Sequence, residues 1–438
     1  MNNKLLISTI AAGCLMATGC IQANTDSSML PYDIGNFTQP VAGHQNIKAN
    51  SVLNSRAEYT IKDKGYELFM TFSENLNSAA FYVLSYTGKN SAAISNHYTL
   101  PPLTNTAGDT ETPVIAEVSV SNDTVYLATG WENYLSDNRD YTYGLYTAKI
   151  NPDGSLDNWT PATTLPISLD ADKADKAYPI WFGTMPSTTG SHVATAIFIE
   201  QVGQGIDNAK AHYLVYQQTD GKWQLKEDFA TDQSFAYPDD KYSAINNPTH
   251  IVQDTSTHQD ALLILSGRAL FSFVFDQDGT FQKALSVGLP SSDKAHSLKS
   301  LYSENWHPAN GDIYLTDQNH GVYYTSADSV FSPNAPTWKH DALPQDADKT
   351  YFYRAAAPAP NSPVTTSLNV IRDLQDTSGS YTSELLNCIP PASGENWACT
   401  QYYGTTLMFG FTGEFLNIGQ QTYLINGSHV YQYSRTSN

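Results

Sequence analysis

Arginine is scarce in this chain, and its placement bears on chemistry. Only six arginines occur, and Arg139, Arg268, Arg354 and Arg372 fall at loops or on an inner strand of the organisation set out below. Guanidinium groups gathered at one mouth would clamp a carboxylate, because the planar fork matches its two oxygens. Local ion pairs are the competing reading, since Asp140 stands beside Arg139 and Asp373 beside Arg372. Three connections carry aromatics among acids. "GWENYLSDNRDYTYG" (Gly130–Gly144) presents Trp131, Tyr134, Asp137, Arg139 and Asp140. "ATDQSFAYPDDKYSAINNP" (Ala230–Pro248) presents Tyr237, Asp239, Asp240 and Tyr242, and "SLDADKADKAYPIW" (Ser168–Trp181) presents Asp175 and Tyr178. Rings with carboxylates hold sugars by stacking and by hydrogen bonds to hydroxyls, although exposed loops are polar in any protein.

Catalytic signatures are sparse. Glycoside hydrolysis needs two carboxyl groups roughly 5 to 9 Å apart, one with a raised pKa. Asp239 and Asp240 are chain neighbours and cannot both point inward from an extended segment, whereas Asp140 with Asp240 is an allowed pairing. No G-x-S-x-G, H-E-x-x-H or P-loop is present, and the 11 histidines are scattered singly. No metal site and no cofactor are expected.

The elements that must position these residues follow from composition and repetition. With 41% hydrophobic, 12% aromatic and 15% charged residues, the chain can bury a sizeable core. Tyrosines (28) outnumber phenylalanines (17), which suits half-buried strands that keep a hydroxyl wet. A net charge of −20 repels nucleic acid and anionic headgroups, so neither is an expected partner.

Residues 1–23 read as a targeting segment, with Lys4 ahead of an apolar run from Leu5 to Met16 that is too short to span a membrane. Two processing routes fit. "MATGC" resembles a bacterial lipobox and would place a lipid on Cys20, and "IQA" would allow cleavage after Ala23. The first route gives an outer-membrane lipoprotein, attached to the membrane only through Cys20, and the second a periplasmic or secreted protein. Residues 24–38 then form a linker, and 39–438 a single domain. Within that domain lie Cys388 and Cys399, separated by the turn-rich "PPASGEN". In an exported chain they read as one disulfide across a hairpin.

The segment "YTAKINPDGSLDNWTPATTLP" (Tyr146–Pro166) has relatives along the chain: strand, glycine turn, strand, Leu-Pro. "LFSFVFDQDGTFQKALSVGLP" repeats the order, and "HYLVYQQTDGKWQLKEDF" keeps Asp220-Gly221. The units end near Pro101, Pro166, Phe229, Pro290 and Pro344, a period of 54 to 65 residues. Each holds four short strands. Four antiparallel strands repeated about an axis predict an all-β fold, a β-propeller of seven four-stranded blades. The last period has three strands, so its outer strand is expected from Gln39–Arg56, closing the ring.

The stretch "DGSLDNWTPATTLP" resembles repeats of kelch-like and galactose-oxidase-like propellers, where such a segment links the outer strands of a blade. The resemblance implies a propeller. It does not imply copper oxidase chemistry, because no cysteine stands where that site would need one, and the Gly-Gly doublet of kelch blades is missing. Asp153-Gly154, Asp220-Gly221 and Asp278-Gly279 are expected to be scaffold corners, tight type I′ hairpins on the face opposite the long loops. Trp159 and Trp338 are expected to cover the core between blades. The functional expectation is an exported, non-catalytic propeller that binds a glycan or a protein through its long-loop face. The alternative is a glycan-active hydrolase or lyase with carboxylates and arginines at the channel mouth.

Overall fold

The structure is a computed structural model. It describes residues 36–43, 51–72, 79–87, 92–104, 108–113, 115–132, 141–162, 174–202, 210–234, 249–254, 257–266, 269–288, 298–304, 312–317, 321–334, 336–342, 350–358, 367–375, 381–389, 397–407, 413–418, 421–426 and 429–434. Within these residues the chain is all-β, with seven four-stranded antiparallel sheets and one two-stranded ribbon. Two compact units divide them.

The first unit comprises residues 45–289 and 327–336 and holds four sheets, each built from four consecutive strands called a to d. Sheet 1 is Ser51–Ile61, Lys64–Phe72, Ala79–Tyr86 and Ala93–Thr99. Sheet 2 is Ile115–Ser121, Thr124–Glu132, Tyr141–Lys149 and Thr160–Pro161. Sheet 3 is Ala174–Thr184, Ala194–Val202, Lys210–Thr219 and Lys222–Ser234. Sheet 4 is Thr249–Asp254, Gln259–Ser266, Ala269–Phe275 and Phe281–Val287.

Strand alternation gives each sheet two apolar faces, and the core lies between successive sheets. One cluster joins Leu68, Met70, Phe81 and Val83 of sheet 1 to Val118, Val125 and Leu127 of sheet 2. A second joins Ala128 and Leu145 to Phe182, Phe198 and Trp223 of sheet 3. A third joins Ile197, Tyr213 and Val215 to Leu262, Phe271 and Phe273 of sheet 4. Aromatic edges supply much of the contact, with Tyr143 against Phe198 and Tyr126 against Phe182 at centroid distances of 5.1 and 5.2 Å. Each such pair adds about 1 kcal/mol to simple burial. The a strands of sheets 1, 2 and 3 run beside one another, so the sheets share an inner edge.

The second unit comprises residues 1–44, 290–326 and 337–438. Sheet 5 is Leu298–Glu304, Asp312–Asp317, Gly321–Ser326 and Lys339–Ala342, and sheet 6 is Thr350–Pro358, Leu368–Gln375, Tyr381–Ile389 and Ala398–Leu407. Sheet 7 has three C-terminal strands, Gly413–Ile418, Gln421–Asn426 and His429–Ser434. Its fourth and outer strand is Asn36–Pro40, paired antiparallel with His429–Ser434. The expected segment thus overlaps the observed one only at Gln39 and Pro40, because Ser51–Ile61 is already committed to sheet 1. Cys388 and Cys399 sit directly opposite each other on strands c and d of sheet 6 and form a disulfide. Trp397 and Leu386 bury it.

The Asp-Gly corners behave as scaffold, with a correction in turn type. All three join strands c and d. Only Asp220-Gly221 has both residues at positive φ, 50° and 73°. At the other two, only Gly154 (85°) and Gly279 (75°) are left-handed. There the turn closes by Gly154 N–H to Asn151 O and Asn151 N–H to Ser155 O, or by the equivalent Asp276–Thr280 pair, which is a type I turn with a glycine bulge. A carboxylate of each turn caps it: Asp153 accepts from Ser155 N–H, and Asp276 from the N–H groups of Asp278 and Thr280.

These corners also dock sheets together. Tyr59 and Tyr66 of sheet 1 stack with centroids 4.9 Å apart, and their hydroxyls donate to Gly154 O and Asp153 O of sheet 2. Gln217 of sheet 3 donates to Gly279 O and accepts from Phe281 N–H of sheet 4. Trp159 packs on Phe81 across the first of these junctions. Trp338, immediately before strand d of sheet 5, is half-buried.

Candidate functional site

The sequence "RAEYTIKDKGYELF" forms the a–b hairpin of sheet 1, turning at Lys62-Asp63, with Lys62 at φ 55°. Its register sets Glu58 opposite Glu67 and Arg56 opposite Phe69. Side chains two apart on a strand share a face, so Arg56, Glu58, Glu67 and Phe69 stand together, on the face opposite Tyr59, Tyr66 and Leu68. Tyr82 and Leu84 continue that face on strand c. Phe69 and Leu84 are fully buried.

Glu67 is therefore a carboxyl group against an apolar wall, 1% exposed. It shares a hydrogen bond with the Glu58 carboxyl. Its Oε2 is buried with no hydrogen-bond partner. Desolvation drives its pKa well above the usual carboxylate range, and the neighbouring Glu58 charge adds to the shift. Desolvation also raises Glu58, while its hydrogen bond with Glu67 and the Arg56 charge pull it back. A proton held between the two carboxyls is the low-energy state, since like charges in contact cannot both ionise there. Glu58 and Arg56 keep solvent-exposed surface, so the buried acid has an accessible partner.

A fourth group comes from sheet 4. His250, on strand Thr249–Asp254, is held near pKa 4, first by desolvation and then by the Arg56 charge. Its imidazole is neutral at physiological pH. The a-strand hairpins of this unit thus carry a carboxyl pair with raised pKa values beside a permanent cation, and an imidazole whose protonation that cation disfavours. That set can donate a proton, hold an anion and accept a proton. Asp260, at the start of strand b of sheet 4, is a second perturbed acid, raised to about 6 by desolvation. Among the described residues no cluster of metal-ligating side chains occurs.

The residues expected from sequence are placed as follows. Tyr134, Asp137, Arg139, Asp140, Tyr237, Asp240, Arg268 and Cys20 lie outside the described residues. Trp131 lies on strand b of sheet 2 opposite Thr142, and the connection after it leaves the sheet at the end away from Asp153-Gly154. Arg354 lies at a register shift on strand a of sheet 6. Arg372, on strand b of that sheet, is 1% exposed and ion-paired with Glu384 directly opposite on strand c. Its Nε donates to Glu384 Oε2 at 3.2 Å. The acid it meets is the cross-strand Glu384. Asp175 and Tyr178 fall on strand a of sheet 3 rather than in a connection.

Glu58, Glu67, Arg56 and His250 did not figure among those expectations. A signal was present: a glutamate interrupts the apolar run "YELFMTF", and Glu58 and Glu67 are equally spaced from the turn. An acid inside such a run is either on the solvated face or buried for a reason, and only the pairing of sheets decides which.

No protein-family model matches the chain, and no curated protein matches it in sequence. Kelch-like character accordingly finds no matching model. Solved structures do align. A GH32 β-fructofuranosidase of Bombyx mori is 9% identical, covering 92% of this chain and 94% of its own, with a TM-score of 0.39. The Dos1 propeller is 10% identical, covering 92% and 97%, with a TM-score of 0.44. An α-L-arabinofuranosidase of Fusarium graminearum, solved with an iminosugar inhibitor, is 11% identical, covering 80% and 96%, also with a TM-score of 0.44. The expectation of a non-catalytic binding protein is withdrawn, because glycoside hydrolases recur among the structures that align. No residue role passes from them to this chain at such similarity.

Proposed function

We propose that the chain is an exported seven-bladed β-propeller that acts on glycans as a hydrolase or lyase. The observation that carries the enzymatic part is the hydrogen-bonded pair of Glu58 and Glu67, desolvated and set beside Arg56. A carboxyl group kept protonated at neutral pH is the acid that glycosidic cleavage uses on the leaving oxygen. Glu58 is the exposed member that meets the leaving oxygen, and the buried Glu67, whose pKa lies well above the usual carboxylate range, holds the shared proton behind it.

Supporting the propeller are seven sheets of four strands, apolar faces shared between successive sheets, and an N-terminal strand completing the last sheet. Supporting a glycan are the aromatic and acidic connections with Trp131, Tyr134, Asp137, Tyr237 and Asp240, and a charge of −20 that disfavours nucleic acid. Export follows the N-terminal segment, by lipidation at Cys20 or cleavage after Ala23, which the mass of the mature N-terminus distinguishes.

The test is incubation with a panel of neutral and acidic polysaccharides and measurement of new reducing ends. Cleavage that falls about 100-fold or more in Glu58→Gln is the expected result. Binding of a glycan without turnover on any member, or full activity in Glu58→Gln, would sink the proposal.

A further inference from the structure

The Asp-Gly corners at Asp153, Asp220 and Asp278 share a dipeptide and differ in what holds it. That difference governs a reaction an aspartate undergoes with its own main chain. The nitrogen of the following residue attacks the side-chain carboxyl carbon and closes a succinimide ring. Glycine is the most permissive residue at the attacking position, because no Cβ obstructs the ring. In a folded chain two conditions set the rate. The nitrogen must be released from any hydrogen bond, and the carboxyl group must be free to swing over it.

At Asp153-Gly154 neither condition holds. Gly154 N–H donates to Asn151 O at 2.9 Å, and Asp153 Oδ1 accepts from Ser155 N–H and Ser155 Oγ at 2.9 and 2.7 Å. Gly154 is also buried against Tyr66. Asp278-Gly279 repeats the pattern. Gly279 N–H donates to Asp276 O at 2.9 Å, Asp278 Oδ1 accepts from Thr189 Oγ1 at 2.7 Å, and Gly279 is buried beside Met185. Asp220-Gly221 is instead the two-residue turn between the paired Thr219 and Lys222, and both of its residues are exposed. Among the described residues, neither the Asp220 carboxyl nor the Gly221 N–H has a hydrogen-bond or ion-pair partner. Nothing lies within 4 Å of where a Gly221 Cβ would stand, so the ring has room to form.

We infer that Asp220 is a site of spontaneous covalent modification in the folded protein, cyclising onto Gly221 and reopening to isoaspartate, while Asp153 and Asp278 are protected. The inference is independent of the glycan-active reading. The atoms balance without an oxidant, a reductant or an enzyme. A bond forms between Gly221 N and Asp220 Cγ, the amide proton leaves, and the carboxyl C–O bond breaks with its pair on oxygen, releasing one water. Hydrolysis returns that water to the ring. Attack at the Cγ carbonyl restores aspartate, and attack at the main-chain carbonyl leaves the chain running through the side chain. The second outcome inserts a methylene into a turn whose geometry is set for two ordinary residues. The next pair along the hairpin is Gln218 opposite Trp223, whose indole packs on Phe182 with centroids 6.2 Å apart in the core between sheets 2 and 3. The lesion thus falls one step from that core.

The experiment ages the full chain in neutral buffer and, in parallel, in guanidinium chloride. Isoaspartate is mapped by electron-transfer fragmentation of proteolytic peptides and by labelling with an isoaspartyl-specific methyltransferase. Two hydrogen bonds that must break before closure slow it by about 30-fold, so Asp220 should lead Asp153 and Asp278 by about that factor in the folded protein. In denaturant the three should convert at similar rates, because only the shared dipeptide then matters. Gly221→Ala should slow conversion at Asp220 in both states, and Asp220→Ser should abolish it, with thermal melting confirming the fold of each variant. Isomerisation leaves the mass unchanged, which separates it from deamidation at Asn310-Gly311 or Asn426-Gly427. Equal rates at the three corners of the folded protein, earlier conversion at Asp153 or Asp278, or an Asp220 that stays unmodified would each overturn the inference.

Discussion

Replacing Gly154 by alanine separates two costs that a glycine corner carries, and the structure provides its own control. Gly154 has φ 85°, and a Cβ built on it would lie 2.2 Å from Tyr66 Cζ, 2.3 Å from Cε1 and 2.4 Å from the hydroxyl oxygen. Gly221 has φ 73° with nothing within 4 Å of such a Cβ. Both substitutions meet the same left-handed backbone penalty, about 1–2 kcal/mol. Only Gly154→Ala must also move an aromatic ring by more than 1 Å, since ordinary contacts begin near 3.4 Å. That ring is 3% exposed, stacked on Tyr59 and hydrogen-bonded to Asp153 O. Overpacking of this kind costs about 1–3 kcal/mol, and each strained hydrogen bond about 1 kcal/mol more. Gly154→Ala should therefore destabilise by about 3–6 kcal/mol and Gly221→Ala by about 1–2 kcal/mol. Urea unfolding followed by tryptophan fluorescence measures both, with midpoints compared at constant slope. Equal losses in the two variants would show that the corner does not dock on sheet 1, and the account of how sheets 1 and 2 are held together would fall.

Two further outcomes are expected. Glu384→Ala leaves the buried Arg372 guanidinium without its cross-strand acid and should cost about 3–5 kcal/mol, whereas Arg372→Met with Glu384→Leu should restore much of that loss, and the urea midpoints of the two variants decide. The stability contributed by Asp260, whose folded pKa is raised to about 6, is present below the unfolded value and fades as pH rises towards 6. That of His250, whose folded pKa is lowered to about 4, is present above 6.5 and fades as pH falls towards 4. Relative to the parent, Asp260→Asn should gain stability between pH 4 and 6 on raising pH, and His250→Gln should gain on lowering it from 6.5. Urea midpoints at pH 4.5 and pH 7 test both signs, and the opposite order in either variant contradicts the burial on which it rests.

Some of this was legible in the residues alone. Alternating apolar strands, glycine corners and a four-strand period follow from local rules, so strand order and the roles of Asp153-Gly154, Asp220-Gly221 and Asp278-Gly279 could be read directly. The cysteine pair could be read too, because a short turn between two strands brings its ends into register. The seam at Arg372 could not: which acid a strand residue meets depends on its neighbour strand, and Glu384 is twelve residues away. The candidate site depended still more on tertiary structure. Glu58 and Glu67 are a matched pair only if the hairpin turns at Lys62-Asp63, and Glu67 is an acid worth noticing only because Phe69 and Leu84 share its face. His250 joins Arg56 from nearly two hundred residues away, through the docking of sheets whose order no local pattern encodes. Sequence determined the hairpins, since their forces act over a few residues. Desolvation and charge proximity, which make carboxyl groups reactive, arise only when faces far apart in the chain are pressed together.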